Sequence, residues 1–223
     1  MQVNKLRDSQ IRPVLLRELK NRFCDPEHDL ILQEYGCNAA RVDVAVVNGA
    51  FHGFEIKSDR DSLERLGGQI AEYGKIFDYV TLVSGKRLLR SARHKVPAWW
   101  GIRVAVDCGD SVHIRELRKP KKNPSLDPYS LAEMLWKREI IQCLRRAGNT
   151  RMSGRLPVDE LRSEVARILP AEVLAAEVRA AIKKRGGSGF EWLRTRSGGL
   201  NTTASTPYRR RYAQNLQWLL SLK

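Results

Sequence analysis

Two β-branched runs, Arg41–Val47 and Phe51–Lys57, flank the pair Asn48-Gly49, and both carry charge. Asn-Gly between such runs is a strong hairpin signal. Asp43 lies inside the first run and Glu55-Ile56-Lys57 closes the second. An unpaired charge on an apolar strand costs several kcal/mol, on the order of the net stability of a whole domain. These side chains must therefore meet one another or a ligand.

The register of the hairpin decides whether they meet. A two-residue turn would pair Val47 with Ala50 and set Asp43 and Glu55 on opposite faces of the sheet. A loop with an odd number of residues puts both carboxylates on one face and gathers Val42, Val44, Val46, Phe54 and Ile56 on the other, core-facing side. The apolar pattern favours the second register. It predicts a three-residue loop or a bulge between Val46 and Phe51, with the carboxylates near enough to share a metal. Two converging carboxylates bind Mg²⁺ or Mn²⁺ through oxygen. Lys57, two residues after Glu55, projects from the same strand face, where its ammonium would orient the attacking water and offset charge on a phosphate. That is a hydrolytic set.

Around the hairpin the chain alternates elements. Ser9 is expected to cap a helix over residues 10–22, with Pro13 in its first turn, and Leu30–Gln33 reads as a short strand. Asp61 with Glu64 reads as a capping box opening a helix over residues 62–77, which carries Gln69 and Tyr73 at i and i+4 on one face. Gly67-Gly68 inside it implies close backbone approach, either to the sheet or to DNA. Tyr79–Val83, Ile102–Asp107 and Val112–Arg115 are further strands, and Val83-Ser84-Gly85-Lys86 reads as a strand-to-loop turn. Trp99-Trp100 is read as core.

With a strand, an E-x-K strand, a helix bearing Q-x-x-x-Y and a following strand in order, the segment Asp43–Val83 resembles the PD-(D/E)XK nuclease superfamily, and within it the RecB-like branch. The continuous text RVDVAVVNG, FEIKSDRDSLERL and FDYVTLVSG is similar to a small, mostly uncharacterised bacterial family of that superfamily. The resemblance implies that Asp43 and Glu55 are metal ligands, with the carbonyl of Ile56 a third and Lys57 the catalytic lysine. It implies that Gln69 and Tyr73 position the scissile phosphate or a neighbouring nucleotide. RecB-like members often carry a further ligand upstream; Glu34, Glu18 and His28 compete for that role, and Glu34 is preferred. The four-cysteine iron–sulfur cluster of several relatives is not expected, because only Cys108 and Cys143 follow the Q-x-x-x-Y helix. Cys24, Cys37, Cys108 and Cys143 contain no C-x-x-C pair and read as buried free thiols.

Charge divides the chain. Its 223 residues carry a net +15, and a chain this basic usually meets a polyanion, with nucleic acid the first candidate. Residues 1–116 hold 18 basic and 16 acidic side chains, whereas residues 117–223 hold 22 and 9. The sequence is therefore read as a restriction-endonuclease-like α/β core over residues 1–116, with a mixed central sheet and flanking helices. A charged linker over 117–128 and a basic, mostly helical domain over 129–223 follow. Ser130 with Glu133 reads as another capping box, and Pro157, Pro170 and Thr206-Pro207 mark helix starts. The helices after Pro157 and Pro170 are spaced for a helix-turn-helix, and Lys183, Lys184, Arg185, Arg209, Arg210 and Arg211 are the candidate nucleic-acid contacts.

No run of 18 apolar residues and no secretory leader is present, so the expectation is a cytoplasmic protein without a membrane partner. The expected function is Mg²⁺- or Mn²⁺-dependent hydrolysis of phosphodiester bonds, in DNA rather than RNA. The alternative is a catalytically weak or partner-dependent nucleic-acid-binding protein that retains the nuclease fold.

Overall fold

The computed structural model describes residues 5–25, 28–149 and 155–186. The elements run α1 (Asp8–Arg22), β1 (Leu30–Cys37), β2 (Ala40–Val47), β3 (Phe51–Lys57), α2 (Leu66–Ile76), β4 (Tyr79–Gly85), α3 (Lys86–Lys95), β5 (Gly101–Asp107) and β6 (Val112–Arg118). Four helices follow: α4 (Pro128–Glu133), α5 (Lys137–Arg146), α6 (Val158–Ile168) and α7 (Ala171–Lys184). The protein is mixed α/β, with one six-stranded sheet in the order β1-β2-β3-β4-β5-β6. β3, β4 and β5 are parallel, and the flanking pairs β1/β2, β2/β3 and β5/β6 are antiparallel.

The sheet is covered on both faces. α1 lays Ile11, Leu15 and Leu19 against Val44, Val46, Phe54, Ile56, Val83 and Ala105, the face that the apolar alternation assigned to the core. The opposite face carries Phe51, Gly53, Glu55 and Lys57, and Phe77 at the end of α2 packs there, with its ring 4.3 Å from that of Phe51 and 3.3 Å from a Cβ built on Gly53. The connections β3-α2-β4 and β4-α3-β5 advance the same way across the sheet, and right-handed crossovers place α2 and α3 on that same face.

Several caps differ from the sequence reading. α1 starts at Asp8: the Arg7 N–H is taken by Gln10 Oε1 at 2.9 Å, so Ser9 and Pro13 fall inside the helix. Asp61 Oδ2 accepts Ser58 N–H at 2.7 Å, tightening the turn after β3, and α2 begins only at Leu66. Asp127, not Ser130, caps α4, accepting the Ser130 N–H at 2.7 Å. At α1 and α4 a nearby side chain takes the donor that the sequence pattern had assigned to another, whereas α2 starts with no side-chain cap. A Cβ on Gly67 or Gly68 would meet nothing within 4 Å, so close packing of α2 on the sheet is not what these glycines serve. Trp100 is fully buried, as expected of core.

The segment 117–128 does not stand apart as a linker. Lys121 N–H donates to Trp99 O, Asn123 N–H to Asp78 O and Asp127 N–H to Lys75 O, and buried Asn123 donates from Nδ2 to Gly74 O and Phe77 O. α7 is tied down as well: the Arg179 guanidinium bonds Asp78 Oδ2 at 2.8 Å, the same atom that accepts Phe51 N–H. The described residues through Gly186 therefore belong to one compact unit. Among the described residues no helix is long and apolar enough to cross a membrane.

Candidate active site

The β2–β3 ladder pairs Val47 with Phe51, Val46 with His52 and Val44 with Phe54, which leaves Asn48-Gly49-Ala50 as a three-residue loop. The Asn48 side chain closes it by accepting the Ala50 N–H at 2.9 Å. The same register sets Asp43 opposite Glu55 and both on one face, as the odd-loop reading required. The loop lies between Val46 and Phe51, as the apolar pattern predicted, with Val47 kept in the strand and Ala50 in the loop.

Beyond Val44 and Phe54 the two strands part. Asp43 Oδ2 accepts the main-chain N–H of Ile56 at 2.7 Å, a bond that β2 backbone would otherwise supply. In an extended strand the carbonyl of a residue lies on the same edge as its N–H. The Ile56 carbonyl therefore faces this same gap, beside Asp43.

Glu55 and Lys57 are almost wholly buried, 2% and 4% exposed. Glu55 Oε1 accepts Lys57 Nζ at 2.6 Å and Gln69 Nε2 at 2.6 Å, and Lys57 Nζ also donates to Gln69 Oε1 at 2.9 Å. The buried Tyr73 hydroxyl lies 2.7 Å from Glu55 Oε2 and 2.7 Å from Arg41 O. A phenol has one proton, so it cannot serve both acceptors while Glu55 is ionised. A proton on Glu55 Oε2 satisfies all three atoms, with Glu55 donating to Tyr73 and Tyr73 to Arg41 O. The electrostatics agree: burial first, then the Asp43 charge, raises the Glu55 pKa despite Lys57. Burial and Glu55 likewise raise the pKa of Tyr73, which stays a phenol.

Arg12, on α1, was not singled out in the sequence. Its guanidinium bonds Asp43 Oδ1 at 2.8 Å and Asp43 O at 3.1 Å, grips Asp8 through two bonds, and reaches Glu34 Oε1 at 2.8 Å. The signal was Asp8 and Arg12 at i, i+4, which reads as a surface ion pair. Glu34 takes a left-handed φ of 50° between the paired residues Gln33 and Tyr35. Such a backbone is uncommon for a residue with a Cβ. Its carboxylate is held by Arg12 and, at 2.9 Å, by Arg41.

The other sequence candidates fall as follows. Glu34 is engaged by two arginines and does not join Asp43 and Glu55 as a third ligand, because among the described residues no three His, Cys, Asp or Glu side chains cluster to hold a metal. Glu18 pairs with Arg103, and exposed His28 with Asp25, so neither completes the set. Asp43, Glu55, Ile56, Lys57, Gln69 and Tyr73 are brought together. Of the candidate nucleic-acid contacts, Arg185 is turned inward: its side chain, 4% exposed, bonds Glu139 and Met134 O and lies 4.3 Å over the Trp136 ring. Lys183 donates to His28 O, and Lys184 is exposed. α7 buries seven of its fourteen residues, from Val173 to Ile182. Arg209, Arg210 and Arg211 lie outside the described residues. Cys37 and Cys143 are buried free thiols, pushed up to about 12 by burial, whereas Cys24 and Cys108 are exposed.

Asp43, Glu55 and the Ile56 carbonyl make an oxygen-only donor set that suits Mg²⁺ or Mn²⁺. By the chemistry of these oxygen donors the residues present fit the group, with Lys57 bonded to Glu55 and Arg12 to Asp43.

Comparisons with known proteins give a family. Protein cII of Enterobacteria phage P4 is 27% identical over 146 residues, which cover 65% of this chain and 55% of that protein, so the chain spans about half the length of this curated relative. Among solved structures, the SPO1766 protein of unknown function from Silicibacter pomeroyi aligns over 70% of this chain and 100% of its own, at 15% identity and a TM-score of 0.40. A family model described as Bacteriophage P4 protein cII matches residues 1–205. The chain therefore belongs to the bacteriophage P4 protein cII family.

Proposed function

We propose that the protein is a metal-dependent nuclease that hydrolyses phosphodiester bonds, DNA before RNA, on a restriction-endonuclease-like core of the PD-(D/E)XK type. The observation that carries this reading is the register of Asp43 opposite Glu55 with Lys57 Nζ bonded to Glu55, three charged groups converging where β2 and β3 part. Asp43, Glu55 and the Ile56 carbonyl would hold Mg²⁺ or Mn²⁺. When bound, the ion supplies Lewis-acid charge for the phosphate and a more acidic water.

The chain's own groups do the rest. Lys57 Nζ spends two protons on Glu55 Oε1 and Gln69 Oε1, and its third is left to orient the attacking water or a phosphate oxygen. Gln69 closes a ring of hydrogen bonds with Lys57 and Glu55, and Tyr73 fixes the second Glu55 oxygen. Gln69 and Tyr73 thus act as positioning residues for the acid and the lysine. The exposed Gly67-Gly68 pair, just before Gln69, leaves room for a nucleic-acid backbone to approach α2.

A second reading, a weakly catalytic or partner-dependent nucleic-acid-binding protein on the same fold, draws on Arg12, which already neutralises Asp43. One assay separates the two. The purified protein is incubated with labelled single- and double-stranded DNA and RNA in Mg²⁺, Mn²⁺ or EDTA. Cleavage that EDTA abolishes supports the nuclease; binding without cleavage in any metal supports the second reading.

A further inference from the structure

α3, absent from the sequence reading, is the most basic helix among the described residues: Lys86, Arg87, Arg90, Arg93 and Lys95 with His94, and no acid. Leu88 and Ala92 bury its inner side, and Arg90, Arg93 and His94, at i, i+3 and i+4, share one exposed flank. That flank and Arg118 of the edge strand β6 line a groove of about 500 Å³ with Leu89.

The charges in this groove are uncompensated. The Arg87 guanidinium donates to the Asp59 and Asp61 carbonyls, and among the described residues Arg90 and Arg93 have neither an ion pair nor a hydrogen-bond partner. Arg118 donates to two carbonyls, Trp100 O at 2.7 Å and Pro97 O at 2.8 Å, which fix the side chain without cancelling its charge. Burial, and then the repulsion of Arg93, push the Arg118 guanidinium down. Like charges drawn together without a carboxylate indicate an anionic occupant.

We propose that the α3–β6 groove binds the phosphate backbone of a nucleic acid through Arg90, Arg93 and Arg118, leading the strand away from the catalytic edge. The proposal rests on the nucleic-acid substrate of the function proposed above, though not on its chemistry. α3 starts directly after Gly85, and Ser84 pairs with Lys57, so the helix begins beside the catalytic lysine. Arg90 and Arg93 follow roughly 6 and 10 Å further along the axis. Guanidinium forks match phosphate geometry. An acidic membrane would need apolar anchors, yet the exposed large apolar side chains among the described residues are Leu117 and Tyr129, neither of which lines the groove. Only Leu89 would meet a peptide's apolar side chain there.

The test is anisotropy of short fluorescent DNA, single-stranded and duplex, titrated with the full chain in EDTA between about 50 and 200 mM salt. The double variant Arg90→Ala, Arg93→Ala should bind duplex roughly tenfold or more weaker, with the salt slope reduced by about 2, since each phosphate contact contributes about 0.9. The Arg90→Lys, Arg93→Lys pair should keep the slope, and both should melt as the wild type does. An unchanged slope in the alanine pair overturns the proposal. So does competition by polyglutamate as strong as by unlabelled DNA, or a wild type that binds acidic-lipid vesicles through these arginines and no nucleic acid. Binding through this groove by a protein that cleaves nothing removes the hydrolytic reading and leaves the groove standing.

Discussion

The Asp43 carboxylate takes the Ile56 main-chain N–H at 2.7 Å while its other oxygen takes Arg12, so one side chain closes the gap between β2 and β3 and anchors α1 beside it. A side chain that satisfies a strand's backbone is both structural and available for chemistry. That double duty separates two substitutions usually treated alike.

Asp43→Asn keeps an oxygen for Ile56 N–H but turns its NH2 toward Arg12, so the Oδ1 acceptor and the charge are lost, whereas Asp43→Ala also orphans the Ile56 donor. Urea unfolding should cost Asp43→Asn about 1–2 kcal/mol and Asp43→Ala about 2–4 kcal/mol. Equal stability of the two variants would show that the Ile56 bond contributes nothing.

Arg12 competes for the charge that a cation would use. Arg12→Gln should lose about 1–3 kcal/mol of stability through its broken bonds to α1, β1 and β2. It should also bind Mn²⁺ more tightly, by about tenfold or more, because removing a nearby unit charge relieves more than about 1 kcal/mol of repulsion on a dication even at the dielectric of water. Calorimetric titration with Mn²⁺ reads this directly. Affinity unchanged or weakened would mean that Arg12 does not oppose the cation.

Arg185 holds α5 to α7 through Glu139, Met134 O and Trp136. Arg185→Ala should cost about 3 kcal/mol or more, the range for breaking a buried pair, with no change in the salt slope of DNA binding. A stable variant with a flattened slope would return this residue to the nucleic-acid interface.

His52 stacks on Phe54 at 4.1 Å and shares a hydrogen bond with Thr81 Oγ1; burial, then Arg22 and Arg103, lower its pKa to about 3. The unfolded chain, with the ordinary value of 6.5, binds the proton first, so stability falls as pH drops below that value towards about 3. Between about pH 7.5 and 5.5 the loss from this group is up to about 1.4 kcal/mol. His52→Gln should remove that part of the acid dependence, seen as a shallower fall of the urea midpoint. An identical fall in wild type and variant would contradict it.

The hairpin and its site were legible because a period of two leaves only two choices of face, and Val44, Val46, Phe54 and Ile56 decide between them. The helix carrying Gln69 and Tyr73 was legible because these two candidate residues recur at helical spacing. α3 was not: its ten residues bury only Leu88 and Ala92, too few to mark a face against seven polar or charged neighbours. Arg12 was passed over and Arg185 assigned to nucleic acid for one reason. A charge on a helix looks solvated in sequence, and only the fold shows the carboxylate facing it. The boundary at 117–128 failed similarly, since Asn123 looks like linker until its amide is seen bonding two carbonyls at the end of α2.

The proposed hydrolysis turns on Lys57, held on Glu55. The most direct measurement compares cleavage of labelled DNA by wild type and Lys57→Ala in Mg²⁺, Mn²⁺ and EDTA, at matched binding measured by anisotropy. The account predicts metal-dependent cleavage by wild type, none in EDTA, and a loss of about 10²–10³-fold or more in Lys57→Ala, the scale for removing one charge-stabilising group from a hydrolytic site. Undiminished cleavage by Lys57→Ala, or cleavage by wild type that persists in EDTA, would contradict it.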